Sequence, residues 1–211
     1  MLKRPLTTAV DQGFEALYAI YRDSIKVREQ KSREQLAAMV SRPDYRFLLV
    51  QDGDSVVGFS ASFVTVGESF CLLEYMAVDK RYRGRGIGSE LFKETGHAIH
   101  RVHGAFPILL EVDSDREPCA DQKLRRRRQY FYRSLGCRRI AGCAYMLPLP
   151  GEEPPPEMDL FVQVPQPATT IRRASLQRWL KVIYQEVYGC SADDPRIPLM
   201  LDGVPDPIQL I

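Results

Sequence analysis

At 211 residues the chain is long enough to bury one sizeable core, or one core plus a small appendage. With 45% hydrophobic and 27% charged residues it is neither a disordered nor a fibrous protein. Lys plus Arg number 29 against 27 Asp plus Glu, and a net charge of +2 argues against a broadly basic binder of nucleic acid or membrane surface. An electrostatic partner has to be met by a local patch.

Phe14, Leu17, Tyr18, Tyr21 and Ile25 recur at a helical period across residues 10–25. A second, short helix starts after Ser32, whose hydroxyl can cap it, and stops before Arg42-Pro43. The period then changes. Residues 46–50 read as a strand, Asp52-Gly53-Asp54 as a turn, and residues 56–66, with Gly58 inside, as a long strand, so the two pair as a hairpin. Residues 71–78 are a third β run. A glycine-rich turn follows it and opens onto a helix over 87–102, with Ile87, Leu91, Ala98 and Val102 on its apolar side.

The nearly continuous apolar run 107–112 reads as a strand in the buried middle of a sheet. A polar loop, 113–122, precedes a basic helix over 124–135 that Gly136 stops, with Leu124, Phe131 and Leu135 facing the core. Residues 138–149 read as a further strand, weak at Gly142. Seven of the 15 prolines then fall between Pro148 and Pro167. Within that stretch 158–164 reads as an edge strand. Residues 171–187 read as a helix with Ala174, Trp179, Ile183 and Val187 on its apolar face, and the last twenty residues as irregular. There is no internal repeat. The expected organisation is a main domain over 1–165 and a C-terminal helical appendage over 166–211. The element order implies an α/β (α+β) sheet with helices on its faces.

No apolar run reaches the roughly 20 residues that a membrane helix needs. The basic pair Lys3-Arg4 is followed by no apolar h-region, so a cytoplasmic location without a membrane partner is expected. Cys71, Cys119, Cys137, Cys143 and Cys190 are odd in number and contain no CxxC pair, which favours a reducing compartment over a disulfide framework or a zinc site.

Chemistry concentrates in Leu72-Leu73-Glu74-Tyr75-Met76-Ala77-Val78-Asp79-Lys80-Arg81-Tyr82-Arg83-Gly84-Arg85-Gly86-Ile87-Gly88-Ser89. A strand enters a turn with glycines at three alternate positions, and the turn opens onto a helix. Glycine permits positive φ and lets backbone N–H groups approach a ligand, and at a helix start those donors favour a phosphate. Arg83 and Arg85 add positive charge. A diphosphate is the expected ligand. The Gly84-x-Gly86-x-Gly88 spacing is neither the dinucleotide fingerprint nor a P-loop.

This run resembles the pyrophosphate-binding motif of the GCN5-related N-acetyltransferase (GNAT) superfamily, here Arg83-x-x-Gly86-x-Gly88. Downstream, Phe131-Tyr132-Arg133-Ser134-Leu135-Gly136-Cys137 resembles that superfamily's Phe-Tyr-x-x-x-Gly-Phe, with Cys137 in place of the last aromatic. The resemblance covers roughly residues 5–150. It implies a mixed, twisted central sheet with a V-shaped split between its central strands, flanked by helices. It also implies acetyl-CoA as cosubstrate and no metal. The split would fall at a bulge near Met76, with backbone amides of Met76, Ala77 and Val78 receiving the pantetheine arm and thioester carbonyl. The diphosphate would lie on Arg83, Gly84, Arg85, Gly86, Ile87, Gly88 and Ser89.

Glu74 matches the carboxylate proposed as general base in the spermidine/spermine branch, and desolvation beside a buried strand would raise its pKa. Tyr132 matches the tyrosine that protonates the departing thiolate. Arg125, Arg128 and Tyr132 follow one another at i, i+3 and i+7 on one helix face, which would set Arg125 or Arg128 near the phosphates. The run 125–128 points around most of a helix rather than forming one basic face, so nucleic acid is not the expected partner. His97, His100 and His103 suit a helix C-terminus better than a metal. The implied activity is direct acetyl transfer to a primary amine, of a small molecule in the first instance. Transfer to a protein or aminoacyl-tRNA amine, and a non-catalytic CoA-binding module, remain alternatives. The segment 166–211 would cover the acceptor cleft or form a homodimer contact.

Overall fold

The computed structural model describes residues 1–65, 67–149, 156–166 and 168–211. The expected strand end at Val66 and prolines 150, 154, 155 and 167 lie outside the described residues. The chain divides into two compact units, one formed by 1–66 with 73–106 and the other by 67–72 with 107–211.

In the first unit, β1 (Leu2–Leu6) pairs antiparallel with β2 (Tyr45–Asp52), which pairs antiparallel with β3 (Ser55–Thr65). The hairpin joining β2 and β3 is the one expected from Asp52-Gly53-Asp54. Strand β1 was not foreseen: its sequence is polar and contains Pro5, which an edge strand tolerates because that side has no ladder to complete. Helix α1 (Gly13–Ser24) packs on β3 through Phe14, Leu17 and Tyr21, all fully buried. Helix α2 (Arg33–Val40) packs on β2. It starts in a capping box in which the Ser32 hydroxyl accepts from the Gln35 N–H and the Gln35 side chain accepts from the Ser32 N–H.

Strand β4 (Phe70–Val78) serves both units, its first residues belonging to the second and those from Leu73 onward to the first. Its end is tied to β3, since the Asp79 N–H donates to the Val57 carbonyl at 2.9 Å. Helix α3 (Ile87–His103) packs on β3 in the first unit. Its buried face is Ile87, Leu91, Phe92, Thr95 and Ile99, whereas Val102, expected inside, is 68% exposed. The helix period continues from Ile87 and Leu91 to Thr95 and Ile99, and Thr95 buries its hydroxyl by bonding Ser60 and the Leu91 carbonyl.

In the second unit, β4 pairs in parallel with β5 (Ile108–Asp113) through Cys71↔Ile108 and Leu72↔Leu109. Helix α4 (Gln122–Ser134) packs on β5. Strands β6 (Arg138–Arg139) and β7 (Tyr145–Met146) both pair with β8 (Glu157–Gln163), which also pairs antiparallel with β5. The single strand expected over 138–149 is thus two short ones, broken where Gly142 takes φ +75°. Strand β8 is interior rather than an edge. Its residues Met158 to Val162 are buried, and the one charge among them, Asp159, is bonded by Arg116 and Gln129. Through β4 the eight strands form one mixed sheet.

The expected core stripe of α4 also needs correction. Leu124 is 56% exposed, Phe131 and Leu135 are half-buried, and the fully buried residue is Gln129, whose amide donates to the Asp113 carbonyl and to Asp159. A polar helix face can be buried here because its donors meet fixed acceptors.

Beyond β8, β9 (Thr170–Ile171) is followed by α5 (Arg173–Val182), and the helix expected to continue to 187 ends in a π-helical turn, Ile183–Val187. Its buried face is Leu176, Trp179, Leu180, Ile183 and Tyr184, with Ala174 exposed. Trp179 finds its place against the Phe70 ring and donates its indole N–H to the Glu68 carbonyl. The last residues are not irregular. Helix α6 (Arg196–Met200) leads to β10 (Ile208–Gln209), which pairs with β9, while Arg139 and Ile211 exchange two backbone hydrogen bonds.

One glycine sets how closely β3 and β4 approach. A Cβ at Gly58 would lie 3.0 Å from the Ala77 carbonyl oxygen. Because the obstructing atom is backbone, Gly58→Ala is expected to lower stability by about 1–3 kcal/mol, measured by chemical denaturation.

Candidate active site

The end of β4 runs into a 3-10 turn, Lys80–Tyr82, and then into the corner that starts α3. Asp79 caps the turn by accepting from the Arg81 N–H at 2.9 Å and from the Arg81 guanidinium. These bonds push the Asp79 carboxyl down to about 2. Arg83 folds back, donating from Nε to the Val78 carbonyl at 3.0 Å and from Nη2 to Ser24 Oγ at 3.2 Å. The Arg85 guanidinium lies 5.0 Å from the centre of the Tyr82 ring.

Gly84 and Gly86 have φ of +80° and +79°, and Gly86 is the residue that caps α3. A Cβ on either would meet nothing within 4 Å. Glycine is needed at both for the backbone conformation, and the space beside them is open. No side chain caps α3; the Ser89 N–H donates to the Gly86 carbonyl at 3.0 Å, and helix geometry leaves the amides of Ile87 and Gly88 without intrahelical acceptors. Ile87 is buried with Val50, Val57 and Leu91, and Met76, Val78 and Tyr82 pack against that cluster. The expected cofactor residues Met76, Ala77, Val78, Arg83, Gly84, Arg85, Gly86, Ile87, Gly88 and Ser89 therefore lie on one continuous strand, turn and helix start. Since Asp79 directs its N–H to β3, strand alternation turns the N–H of Val78 to the opposite edge.

Glu74 lies on the same strand, and its side chain is only 2% exposed. One carboxylate oxygen accepts from Lys31 Nζ at 2.8 Å and the other from the Tyr45 hydroxyl at 2.6 Å. Lys31 Nζ also lies 5.7 Å from the centre of the Tyr75 ring. Burial, and after it the negative charge of Glu74, push the Tyr45 and Tyr75 hydroxyls well above the usual phenol range, so both stay protonated. Neither Lys31 nor Tyr45 was singled out from sequence. They stand 43 and 29 positions from Glu74, and no local spacing announces either.

The remaining expected residues lie on α4, in the second unit. Tyr132 is half-buried, stacks edge-on against Phe131, and has its hydroxyl pushed up to about 12 by burial. Arg125 donates to Asp121 at 2.8 Å and to the Ser114 carbonyl, and Arg128 pairs with Asp113. Arg126 reaches Asp115 at 3.8 Å. Three of the four consecutive arginines thus meet aspartates at the end of β5 or in the loop that follows it. Sequence reading also missed Glu111 on β5, which accepts from the Tyr145 and Tyr188 hydroxyls. Burial pushes the Cys137 and Cys143 thiols up to about 12, leaving both protonated and unreactive at neutral pH. Among the described residues, no group of three or more His, Cys, Asp or Glu is arranged to hold a metal, and no helix is long and apolar enough to cross a membrane.

Residues 43–138 match the family model of the acetyltransferase (GNAT) domain. The chain carries a GNAT acetyltransferase domain. Solved structures agree in fold. A GNAT-family protein from Bacteroides thetaiotaomicron is 22% identical, with a TM-score of 0.71 over 90% of this chain and 100% of that one. An aminoglycoside 6'-N-acetyltransferase complexed with coenzyme A is 18% identical, with a TM-score of 0.61 over 80% and 99%. The ribosomal-protein-S18-alanine N-acetyltransferase of Escherichia coli is 16% identical, with a TM-score of 0.57 over 79% and 96%. No curated protein matches the sequence. A GNAT acetyltransferase domain is that of an acyltransferase with acetyl-CoA as cosubstrate. The corner suits that coenzyme, since its two positive-φ glycines border open space and lead into an uncapped helix start.

Two measurements test this corner. Gly86→Ala is expected to cost about 1–2 kcal/mol of stability, the strain of a left-handed residue with a Cβ. It should also weaken CoA binding in calorimetry, whereas Gly53→Ala, strained in the same way in the β2–β3 turn, should leave CoA binding unchanged. In an NMR titration the Asp79 carboxyl should protonate near pH 2, so its cap is intact above the ordinary carboxylate range and is lost only as the pH falls through that value. Arg81→Ala should move the midpoint up.

Proposed function

We propose that the protein transfers the acetyl group of acetyl-CoA to a primary amine of a small molecule in the cytoplasm. The observation that carries this reading is the position of a buried carboxylate, Glu74, on the same strand that ends in the glycine corner. Acetyl-CoA supplies an activated acetyl group and a thiolate leaving group. The first-turn amides of α3 and the side chains of Arg83 and Arg85 hold its diphosphate. The N–H of Val78, with its neighbours Met76 and Ala77 on β4, is the donor offered to the thioester carbonyl oxygen, where fixed amides stabilise developing charge. Glu74 takes the proton of the attacking amine, directly or through water.

Tyr132 returns a proton to the departing sulfur, a role supported by its match to the family tyrosine and by a hydroxyl that stays protonated through neutral and mildly alkaline pH. Arg125 and Arg128 meet the coenzyme's phosphates by exchanging Asp121 and Asp113 for them. A small acceptor is preferred over aminoacyl-tRNA because the net charge is only +2 and the run 125–128 points around the helix rather than forming one basic face. Residues 1–165 form the transferase domain on this reading, and 166–211 an appendage that covers the acceptor cleft or joins two copies as a homodimer.

A panel of primary amines with acetyl-CoA, followed by release of thiol, tests the function. Thiol release that requires an amine supports it, and binding of CoA without release across the panel refutes it in favour of a non-catalytic module. Steep loss of activity with salt, together with RNA in the purified protein, would redirect it to tRNA. Tyr132→Phe is expected to lower kcat by about 100-fold with little change in the KM for acetyl-CoA, and an unchanged kcat would remove Tyr132 from the mechanism.

A further inference from the structure

The buried Glu74 carboxylate is paired with the ammonium of Lys31 at 2.8 Å. Glu74 is shielded on β4, and of the two groups bonded to its oxygens Tyr45 is buried whereas Lys31 is 22% exposed along its side chain. Of these two partners the lysine is the one with solvent-exposed surface. Its backbone is held in place. The Lys31 N–H donates to the Tyr21 hydroxyl at 2.7 Å, the preceding Gln30 side chain donates to the Ile25 and Arg22 carbonyls, and the following Ser32 belongs to the capping box of α2. What can move is the four-carbon side chain alone, by rotation about its own bonds.

The surroundings of the ammonium have a recognisable chemistry. A carboxylate contacts it at 2.8 Å, the Tyr75 ring lies 5.7 Å away, and the Tyr21 ring meets that ring edge-on at 4.9 Å. A carboxylate beside aromatic faces is a site for a primary alkylammonium. Lys31 is itself such a group, supplied by the chain.

We propose that Lys31 is an internal plug of the acceptor site: its ammonium occupies the cation subsite formed by Glu74, Tyr45 and Tyr75, and a cationic primary alkylamine binds by displacing it. This rests on the reading of Glu74 as part of the acceptor site. It narrows the acceptor class to amines that are protonated when they arrive, with an aliphatic carbon next to nitrogen. Lys31 acts as a specificity residue. It opposes those acceptors that bind as an ion pair with Glu74, by the fraction of time it covers that carboxylate, whereas an uncharged amine does not compete with it for the cation subsite.

If the plug covers Glu74 nine-tenths of the time, its removal lowers the apparent KM for an alkylammonium by about tenfold. Lys31→Gln is expected to lower the KM for n-butylamine and 1,4-diaminobutane to that extent and to leave the KM for aniline, which is uncharged at neutral pH, where it was. A circular dichroism spectrum and thermal midpoint matching the wild type control for loss of folding in the Gln variant. A second measurement needs no turnover. In the full chain with nitrogen-labelled lysine, the Lys31 ammonium resonance, assigned by its loss in Lys31→Arg, should move to the position of solvated lysines as n-butylammonium is added. A resonance that stays in place at the highest soluble concentration overturns the plug, and so does a Lys31→Gln variant whose KM for n-butylamine is no lower. Displacement without acetylation of any amine would keep the plug and remove the transferase reading. Acetylation without displacement would do the reverse.

Discussion

The reversal from β4 into α3 is open only to residues that accept positive φ, and the candidate coenzyme site hangs on it. Gly84 and Gly86 make the turn, and Ile87, one residue later, is buried against Val50, Val57 and Leu91. Burying such a side chain contributes about 1.5–3 kcal/mol, enough to hold the helix start where the glycines leave it. The result is a helix start whose Ile87 and Gly88 amides lack intrahelical acceptors, at a fixed place beside open space. A loop of ordinary residues would have to choose between the turn and the exposure of its N–H groups.

Charge is managed differently in the two units. In the second, Asp113 and Asp159 are almost fully buried and are matched by Arg128, Arg116, Arg139 and Gln129. An ion pair buried in this way is weak support for stability, but removal of one partner would strand the other. The basic run of α4 is explained by these obligations before any ligand is considered. In the first unit the buried carboxylate is Glu74, and its countercharge is a single ammonium on a flexible four-carbon stem rather than a guanidinium fork.

The same contrast marks the two carboxylates held between hydroxyl or ammonium donors. Glu111 on β5 receives two tyrosine hydroxyls, one of them delivered by the residue that follows the π-helical turn. These two donors are neutral. Glu74 has one neutral and one cationic donor, and exchange of a cation for another cation costs little desolvation compared with exposure of a bare carboxylate.

What could be read along the chain was local. The strand, the glycine corner and the helix start occupy eighteen consecutive residues, and each obeys a rule written in its neighbours: alternation, positive φ, helix period. The Ser32 cap and the β2–β3 turn were legible for the same reason. Strand β1 was not, because an edge strand with a proline has no periodic signature, and β8 read as an edge because its flanking prolines hid a run buried on both sides. Lys31 and Tyr45 were invisible as partners of Glu74, since nothing near any of the three residues requires the others. Only the β2–β3 register and the fixed loop before α2 bring them together. The sequence by itself determined the backbone chemistry of the corner; the tertiary structure decided which side chains face Glu74, because that depends on contacts between residues far apart in the chain.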